Sequence, residues 1–383
     1  MTRVEVSTSV LRWAIERSGK ASAVRQKFPK LREWERGDSQ PTLRQLEKLA
    51  KETATPFGYL FLPEPPEEHL PIPHFRTLGD QPTRRTSPDL LETVHTMERR
   101  QAWMREYLAE EGEESLRFVH SANLGDEPQQ LAGVMRKTLG LAEAWAAHQP
   151  TWREALAELR HRMEEVGIIV VVSGIVGNNT HRKLDPTEFR GFVLVDDYAP
   201  LVFVNGADGK AAQMFTLAHE LAHVWFGSSA AFDLRDMQPA PDRTEQACNH
   251  LAAEFLVPER EVRQFWPIAR RDADPFQSIA RHFKVSVLVA ARRGLDLGLI
   301  TRANFLEFYR AYQEDERRKV GAKSEGGNFY ATQNLRLGRR FAETVVRATK
   351  EGKLSYREAY QLTGLHGNAF ERYAEGLGVG ETS

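Results

Sequence analysis

Three short apolar segments followed at once by two helices constrain the fold of this chain more than any other feature. The segments are GIIVVVSGIVG (167–177), FRGFVLVDD (189–197) and APLVFVNG (199–206). They are rich in β-branched residues and bounded by Gly, Asn or Asp, which is the pattern of β-strands. Helical periodicity follows at about 210–227 and 243–256. Because the flanking segments are predicted to be helical, the sequence predicts an α+β fold with one small mixed sheet.

The first of the two helices contains His219-Glu220-Leu221-Ala222-His223, an H-E-x-x-H pattern. Two histidines four residues apart lie on one helix face, and each can give a ring nitrogen to one Zn²⁺ at about 2.0–2.1 Å. Glu220 is placed to reach a metal-bound water without being a ligand, so it can act as a general base. The pattern predicts the active-site helix of a zinc hydrolase. The alternative is an ordinary helix with two surface histidines and a solvated glutamate.

A hydrolytic zinc site needs a third protein ligand and one open position. The second helix offers two acids, Glu245 and Glu254. Glu245 precedes Asn249 by four residues, so both lie on one face: Glu245 would bind the metal, and Asn249 would orient a ligating histidine. Glu254 lies on another part of the helix and is the fallback ligand. The alternative for Glu245 is a capping pair with Asp242 at the helix start.

Peptide hydrolysis also needs a group that stabilises the oxyanion. The strand region and its loops offer His181, Arg190 and Tyr198. The sequence does not select among them, and each also fits an ordinary surface or loop position.

Four stretches of the chain resemble the ImmA/IrrE family of bacterial zinc metallopeptidases: FRGFVLVDD, PLVFVN, FTLAHELAHVWFG and EQACNHLAAEFLVP. The resemblance covers about 165–300. It implies a zincin-like core of the gluzincin type, with His219, His223 and Glu245 as zinc ligands and Glu220 as the catalytic residue. It also implies a substrate-selective peptidase, because relatives cleave DNA-binding repressors in stress response or mobile-element control.

Residues 1–62 are predicted to form short helices. The sequence WERG (34–37), with Pro41 and Leu43 after it, resembles an Xre-type helix-turn-helix. This segment holds 12 Lys+Arg and 7 Asp+Glu, a net charge of +5, so DNA is a candidate partner. Pro29 interrupts the region of the turn, and a shortened recognition helix offers fewer side chains to a major groove. A degenerate helical module that binds protein is the alternative.

The rest of the chain divides by composition. A connector at 63–88 contains seven prolines, and the low-complexity sequence GAKSEGGN (321–328) precedes the last helices. The predicted domains are a helix-turn-helix module at 1–62, the connector, a helical lead-in with the peptidase core at 89–260, a helix-turn-helix-like extension at 261–320 and a C-terminal helical module at 329–378. The core is therefore flanked by all-α modules on both sides.

The single cysteine, Cys248, excludes an intramolecular disulfide and suits a reducing cytoplasm. No stretch approaches the roughly 18 apolar residues of a membrane span, and the first residues do not resemble a secretory signal. We therefore expect a cytoplasmic protein with no membrane partner.

Two functions remain open from the sequence. The first is a zinc-dependent endopeptidase of the bacterial cytoplasm that cleaves a protein partner, such as a transcriptional repressor or a toxin–antitoxin component, by Glu220-assisted attack of zinc-bound water. The second is a DNA-binding regulator or antitoxin that uses a peptidase-like domain as sensor or scaffold. A purely structural zinc is a weaker third hypothesis, because a structural site has no use for Glu220.

Overall fold

A computed structural model describes residues 3–68, 70, 86–232, 242–319 and 329–378. Most of the connector predicted at 63–88, and the whole of GAKSEGGN at 321–328, lie outside the described residues. The chain forms two compact units, and the division between them falls after Thr96. Among the described residues, no helix is long and apolar enough to cross a membrane.

The first unit contains four short helices and a 3₁₀ turn. The helices are α1 (Thr8–Arg17), α2 (Ala21–Lys27), α3 (Leu31–Arg36) and α4 (Leu43–Thr53), and the turn is Phe57–Phe61. Gly37, with φ +82°, ends α3 after six residues, and Thr42 begins α4 through a capping box with Gln45. The helices pack around an apolar core that includes Leu11, Ile15, Leu31, Trp34, Leu46 and Leu49.

The second unit holds the sheet and the remaining helices. In chain order its elements are α5 (Pro88–Glu110, of which the part from Met97 belongs here), α6 (Pro128–Thr138), a 3₁₀ turn (Trp145–His148), α7 (Trp152–Glu165), β1 (Ile169–Ser173), β2 (Gly191–Leu194), β3 (Leu201–Asn205), α8 (Lys210–Phe226), β4 (Ala230–Phe232), α9 (Arg243–Leu256), α10 (Glu259–Ala269), α11 (Pro275–Phe283), α12 (Val287–Asp296), α13 (Arg302–Lys319), α14 (Phe329–Leu337), α15 (Arg339–Lys350), α16 (Tyr356–Thr363) and α17 (Asn368–Leu377). The mixed content confirms the predicted α+β class.

The sheet is mixed and has the strand order β1-β3-β2-β4. β1 pairs with β3 in parallel, whereas β2 pairs with β3 and β4 in antiparallel orientation. Three of these strands lie within the segments predicted from sequence. β4 was not predicted, because three residues are too few to show an alternating pattern.

Side-chain alternation gives the sheet two apolar faces. We call the face toward α8 the inner face; it carries Val170, Val172, Val193, Val202 and Val204, which share one core with residues of α7, α8 and α9. The opposite, outer face carries Ile169, Val171, Phe192, Leu194, Leu201 and Phe203, all of them buried. The sheet is therefore covered on both sides.

Candidate metal centre

Helix α8 carries the two histidines of the H-E-x-x-H sequence into the protein interior. The helix starts five residues after β3 and ends at Gly227, whose φ of +73° closes the last turn. Leu217 and Leu221 bury their side chains in the core that α8 shares with the sheet, α7 and α9. His219 and His223, one turn apart, are fully buried.

Helix α9 supplies the third group. Asp242 accepts hydrogen bonds from the backbone N–H groups of Thr244 and Glu245 and thereby starts the helix. The Glu245 side chain does not turn back into a capping box but extends toward α8. The two interpretations of this region are therefore each partly correct: Asp242 caps the helix, and Glu245 faces the histidines.

Three ligand-type side chains meet between α8 and α9. The Nε2 atoms of His219 and His223 lie 3.1 Å apart, and the Glu245 carboxylate lies 3.1 Å from each of them, through Oε2 and Oε1 respectively. These three residues form a group that could hold a metal ion.

The donor set fits a divalent cation such as zinc. A tetrahedral ion with ligands at about 2.0–2.1 Å separates its ligand atoms by about 3.3–3.4 Å, close to the observed 3.1 Å. Asn249 Oδ1 lies 3.1 Å from Nδ1 of His219, so Nδ1 carries the proton and Nε2 presents its lone pair. Two imidazole nitrogens and a carboxylate facing one another in a buried site leave lone pairs without protons, and a cation satisfies them together.

Burial and the mutual contacts of the group shift the pKa values of its members. Burial lowers the pKa of His219, so its ring is held neutral, although Glu245 opposes the shift. Burial would raise the pKa of Glu245, but its interactions with the two histidines outweigh burial and hold that pKa well below the ordinary value. Cys248 is buried, and burial followed by the charge of Glu245 raises the pKa of its thiol, so it remains a neutral core residue.

Glu220 lies beside the ligand group without joining it. Both of its carboxylate oxygens are buried and have no hydrogen-bond partner among the described residues. Burial, and secondarily the charge of Glu245, raises the pKa of Glu220 well above its ordinary value. A buried carboxylate without partners costs free energy, so the position of Glu220 next to three ligand-type side chains makes it a candidate functional group.

Because Gly191 has no side chain, Glu220 and α8 can lie close to β2. A Cβ atom at Gly191 would lie 2.6 Å from Thr216 Cγ2, 2.9 Å from the Phe203 carbonyl oxygen and 3.1 Å from Glu220 Oε1. The first residue of β2 therefore has to be glycine for α8 to pack this closely. Sequence reasoning missed this residue; the only signal was an isolated glycine at the start of a strand, which indicates close approach.

Glu254, the fallback ligand, forms a separate buried ion pair with Arg293 of α12. Arg293 also donates to the Val257 carbonyl, and the Glu254 carboxylate accepts from the backbone N–H of Glu259. The acid thus joins the end of α9 to α10 and α12. The hypothesis that Glu254 serves as a ligand has no support in this arrangement.

The three oxyanion candidates take different positions. His181 is exposed in the segment between β1 and β2, and Tyr198 lies in the turn between β2 and β3. Arg190 immediately precedes Gly191, and its guanidinium lies 3.5 Å from Asp208.

Comparison with known families places this site inside a recognised sequence region. Residues 163–294, about a third of the chain, match the Peptidase_M78 family, described as the IrrE N-terminal-like domain. Residues 337–376 match a domain of unknown function, DUF8813. No curated protein matches the chain at a significant level. The first match supports the ImmA/IrrE resemblance and a peptidase-like activity for the region that holds His219, Glu220, His223 and Glu245.

Proposed function

We propose that this protein is a zinc-dependent endopeptidase that cleaves a protein partner. One observation carries the proposal: His219 Nε2, His223 Nε2 and the Glu245 carboxylate lie 3.1 Å from one another. The Glu220 carboxylate, on the same helix as the histidines, has no hydrogen-bond partner in the described part of the chain. The match of residues 163–294 to a peptidase family supports it. His219, His223 and Glu245 would be the ligands, Glu220 the general base, and Asn249 the residue that orients His219.

Each residue has a distinct chemical task in this proposal. A bound zinc ion would supply Lewis acidity, which lowers the pKa of water and polarises a peptide carbonyl. Glu220 would take the proton of the attacking water on its carboxylate and transfer it to the leaving amine nitrogen. Asn249 would keep His219 in one tautomer throughout.

The sheet offers a place for an extended substrate. Among the described strands, β4 stands at the end of the sheet and pairs with β2 alone. Its residue Phe232 pairs with Gly191, next to the carboxylate of Glu220. A substrate main chain added beside β4 would extend the sheet on the side of β2, whose Gly191 adjoins Glu220, and side-chain pockets would select its sequence. The family resemblance supports a DNA-binding repressor or a toxin–antitoxin component as the partner.

The first experiment measures bound metal by elemental analysis. We expect one zinc per chain in the wild type and in Glu220→Gln, and loss of zinc in His219→Ala and Glu245→Ala. His250→Ala is the matched control, because His250 is exposed on the same helix as Glu245. Equal zinc in all variants, or none in the wild type, would contradict the proposed site.

The second experiment finds the substrate through the cleavage itself. New protein N-termini are mapped in cells that produce the wild type or Glu220→Gln. We expect one or a few cleavage sites with the wild type and none with Glu220→Gln, because general-base catalysis contributes about 10²–10⁴-fold. If Glu220→Gln retains the full biological effect of the wild type, the regulator with a peptidase-like scaffold becomes the better hypothesis.

A further inference from the structure

The outer face of the sheet is covered in part by helices that lie outside the peptidase-family region. Its six apolar side chains are at most 4 % exposed, so other elements pack on them. α7, α8 and α9 share the core of the inner face. The family match ends at residue 294, whereas the helices that pack on β1 from the other side include α14 and α15, at 329–350.

The chain between α14 and α15 lies directly against β1. Gly338 joins the two helices with φ +78°. A Cβ atom there would lie 3.1 Å from the Val170 carbonyl oxygen and 3.4 Å from Ile169 Cγ2 on the outer face. Such close approach, at a backbone conformation that favours glycine, indicates a packed junction between layers.

A buried arginine of α5 anchors these helices. Arg100 donates from Nε to the carbonyl of Leu362 and from Nη1 to the carbonyl of Arg336, each at 2.9 Å. These carbonyls lie in the last turns of α16 and α14, at the negative ends of the two helix dipoles. Burial lowers the pKa of Arg100 to about 10, so the guanidinium remains charged at neutral pH. One guanidinium therefore donates to a carbonyl at the end of each of two helices, and its central carbon lies over the ring of Phe341 in α15.

Two further polar contacts join the C-terminal helices to the sheet region. Glu164, at the end of α7, accepts from the backbone N–H of Arg339 at 2.6 Å and so caps the start of α15. Asn178, between β1 and β2, donates to the Gly364 carbonyl at 3.0 Å and accepts from Gln333 at 3.1 Å. Gln333 is fully buried. Contacts from α5, from α7 and from the segment after β1 thus converge on one small helical module.

We propose that residues 329–378, which include the domain of unknown function, form a permanent layer on the outer face of the sheet, on the side opposite α8. They cover the outer face of the sheet, and Arg100 is their main polar anchor. The partner of this domain is therefore the sheet of its own chain rather than another protein. The proposal is independent of zinc chemistry and of peptidase activity.

The test cuts the chain without removing any part of it. A recognition sequence for a site-specific protease is inserted within 321–328 of the full-length protein, which is then cleaved and passed over a size-exclusion column. We expect the C-terminal fragment to co-elute with the rest of the protein. Release of a free C-terminal fragment from an otherwise monomeric, folded protein would overturn the proposal.

Arg100→Met tests the anchor in the same cleavable chain. Loss of two hydrogen bonds to a buried charge should weaken the association of the two fragments at least about tenfold, measured as the dilution at which the C-terminal fragment separates from the cleaved protein on the size-exclusion column. Arg99→Met is the matched control, because Arg99 is exposed on the same helix and changes charge equally. A melting curve of each uncleaved variant shows that it is folded. Equal association of the two variants would overturn the role of Arg100.

Discussion

Gly191 lacks a side chain, and the geometry around Glu220 depends on that. The nearest atoms to its missing Cβ belong to Thr216, to the backbone of β3 and to Glu220 itself. Backbone atoms of a central strand cannot move aside without breaking the sheet. The helix would have to shift instead, and it carries the candidate ligands His219 and His223.

We therefore predict that Gly191→Ala lowers the free energy of unfolding by about 1–3 kcal/mol, as overpacking does. Peptidase activity should fall by about 100-fold, because a displacement of about 1 Å misplaces the general base. Chemical denaturation and a cleavage assay measure the two effects. Gly209→Ala is the matched control, since no atom lies within 4 Å of a Cβ there and its φ is −65°. Wild-type behaviour of both variants would contradict the packing argument.

The residue scale also shows the limit of motif analysis. His219, His223, Glu245 and Asn249 could be named from spacing, because a helix places residues four apart on one face. Spacing left Glu254 of the same helix as the fallback ligand. The structure separates the two acids: Glu245 faces the histidines, whereas Glu254 pairs with Arg293, 39 residues further along the chain.

Helix α9 has a buried polar contact near each of its ends. Glu245 contacts α8 near its start, and the buried pair of Glu254 with Arg293 fastens its last turn to α12. The rotation of α9, and hence the direction of Glu245, depends on both contacts.

We predict that Arg293→Met lowers the free energy of unfolding by about 3–5 kcal/mol, because it leaves Glu254 buried without its charge partner. The neighbouring Arg292→Met should cost no more than about 1 kcal/mol, since its ion pair with Asp296 is partly exposed. Denaturant titration of both variants makes the comparison. Similar losses in the two variants would show that the buried pair has no special role.

The contact of α7 with α15 predicts a pH dependence. Burial raises the pKa of Glu164 from its ordinary 4.5 to about 7, although the N–H of Arg339 and the charge of Arg160 oppose the shift. Between these values the folded protein binds a proton that the unfolded chain has lost. The contribution of this group to stability is thus complete below pH 4.5 and is lost as the pH rises through 7.

Glu164→Gln should remove the contribution of this carboxyl group to the pH dependence of stability. We expect the denaturation midpoint of the wild type to fall, relative to Glu164→Gln, as the pH is raised from 4.5 to 7. The difference between the two curves isolates Glu164 from other titrating groups. Parallel curves over this range would contradict the raised pKa.

At the scale of the whole molecule, the N-terminal unit decides between the two functions. Its net charge of +5 over residues 1–62 suggested DNA, but several basic side chains are already matched. Arg25 pairs with Glu35, Lys27 with Glu52 and Arg36 with Asp38. The helix α3, where a recognition helix would lie, has six residues.

We therefore predict only weak, non-specific DNA affinity for the full chain. Binding followed by fluorescence anisotropy should be largely lost between about 50 and 200 mM salt, and should not depend on DNA sequence. A single preferred sequence bound tightly at physiological salt would contradict this expectation and favour the regulator.

Local patterns in the sequence were enough to predict the strands β1, β2 and β3, the helices α8 and α9, and the ligand-type side chains on those two helices. Periodicity and four-residue spacing are local properties, so the segments around 167–206, α8 and α9 could be predicted directly. The α+β class followed from the same patterns.

Only the tertiary structure decided which surfaces meet. Three contacts join residues that are far apart in sequence: Gly191 with Glu220, Glu254 with Arg293, and Arg100 with the ends of α14 and α16. The separations are 29, 39 and more than 230 positions, respectively. The short strand β4 and the helices that cover the outer face likewise depend on tertiary packing. These contacts depend on how two elements pack, and a pattern within either element does not encode its partner.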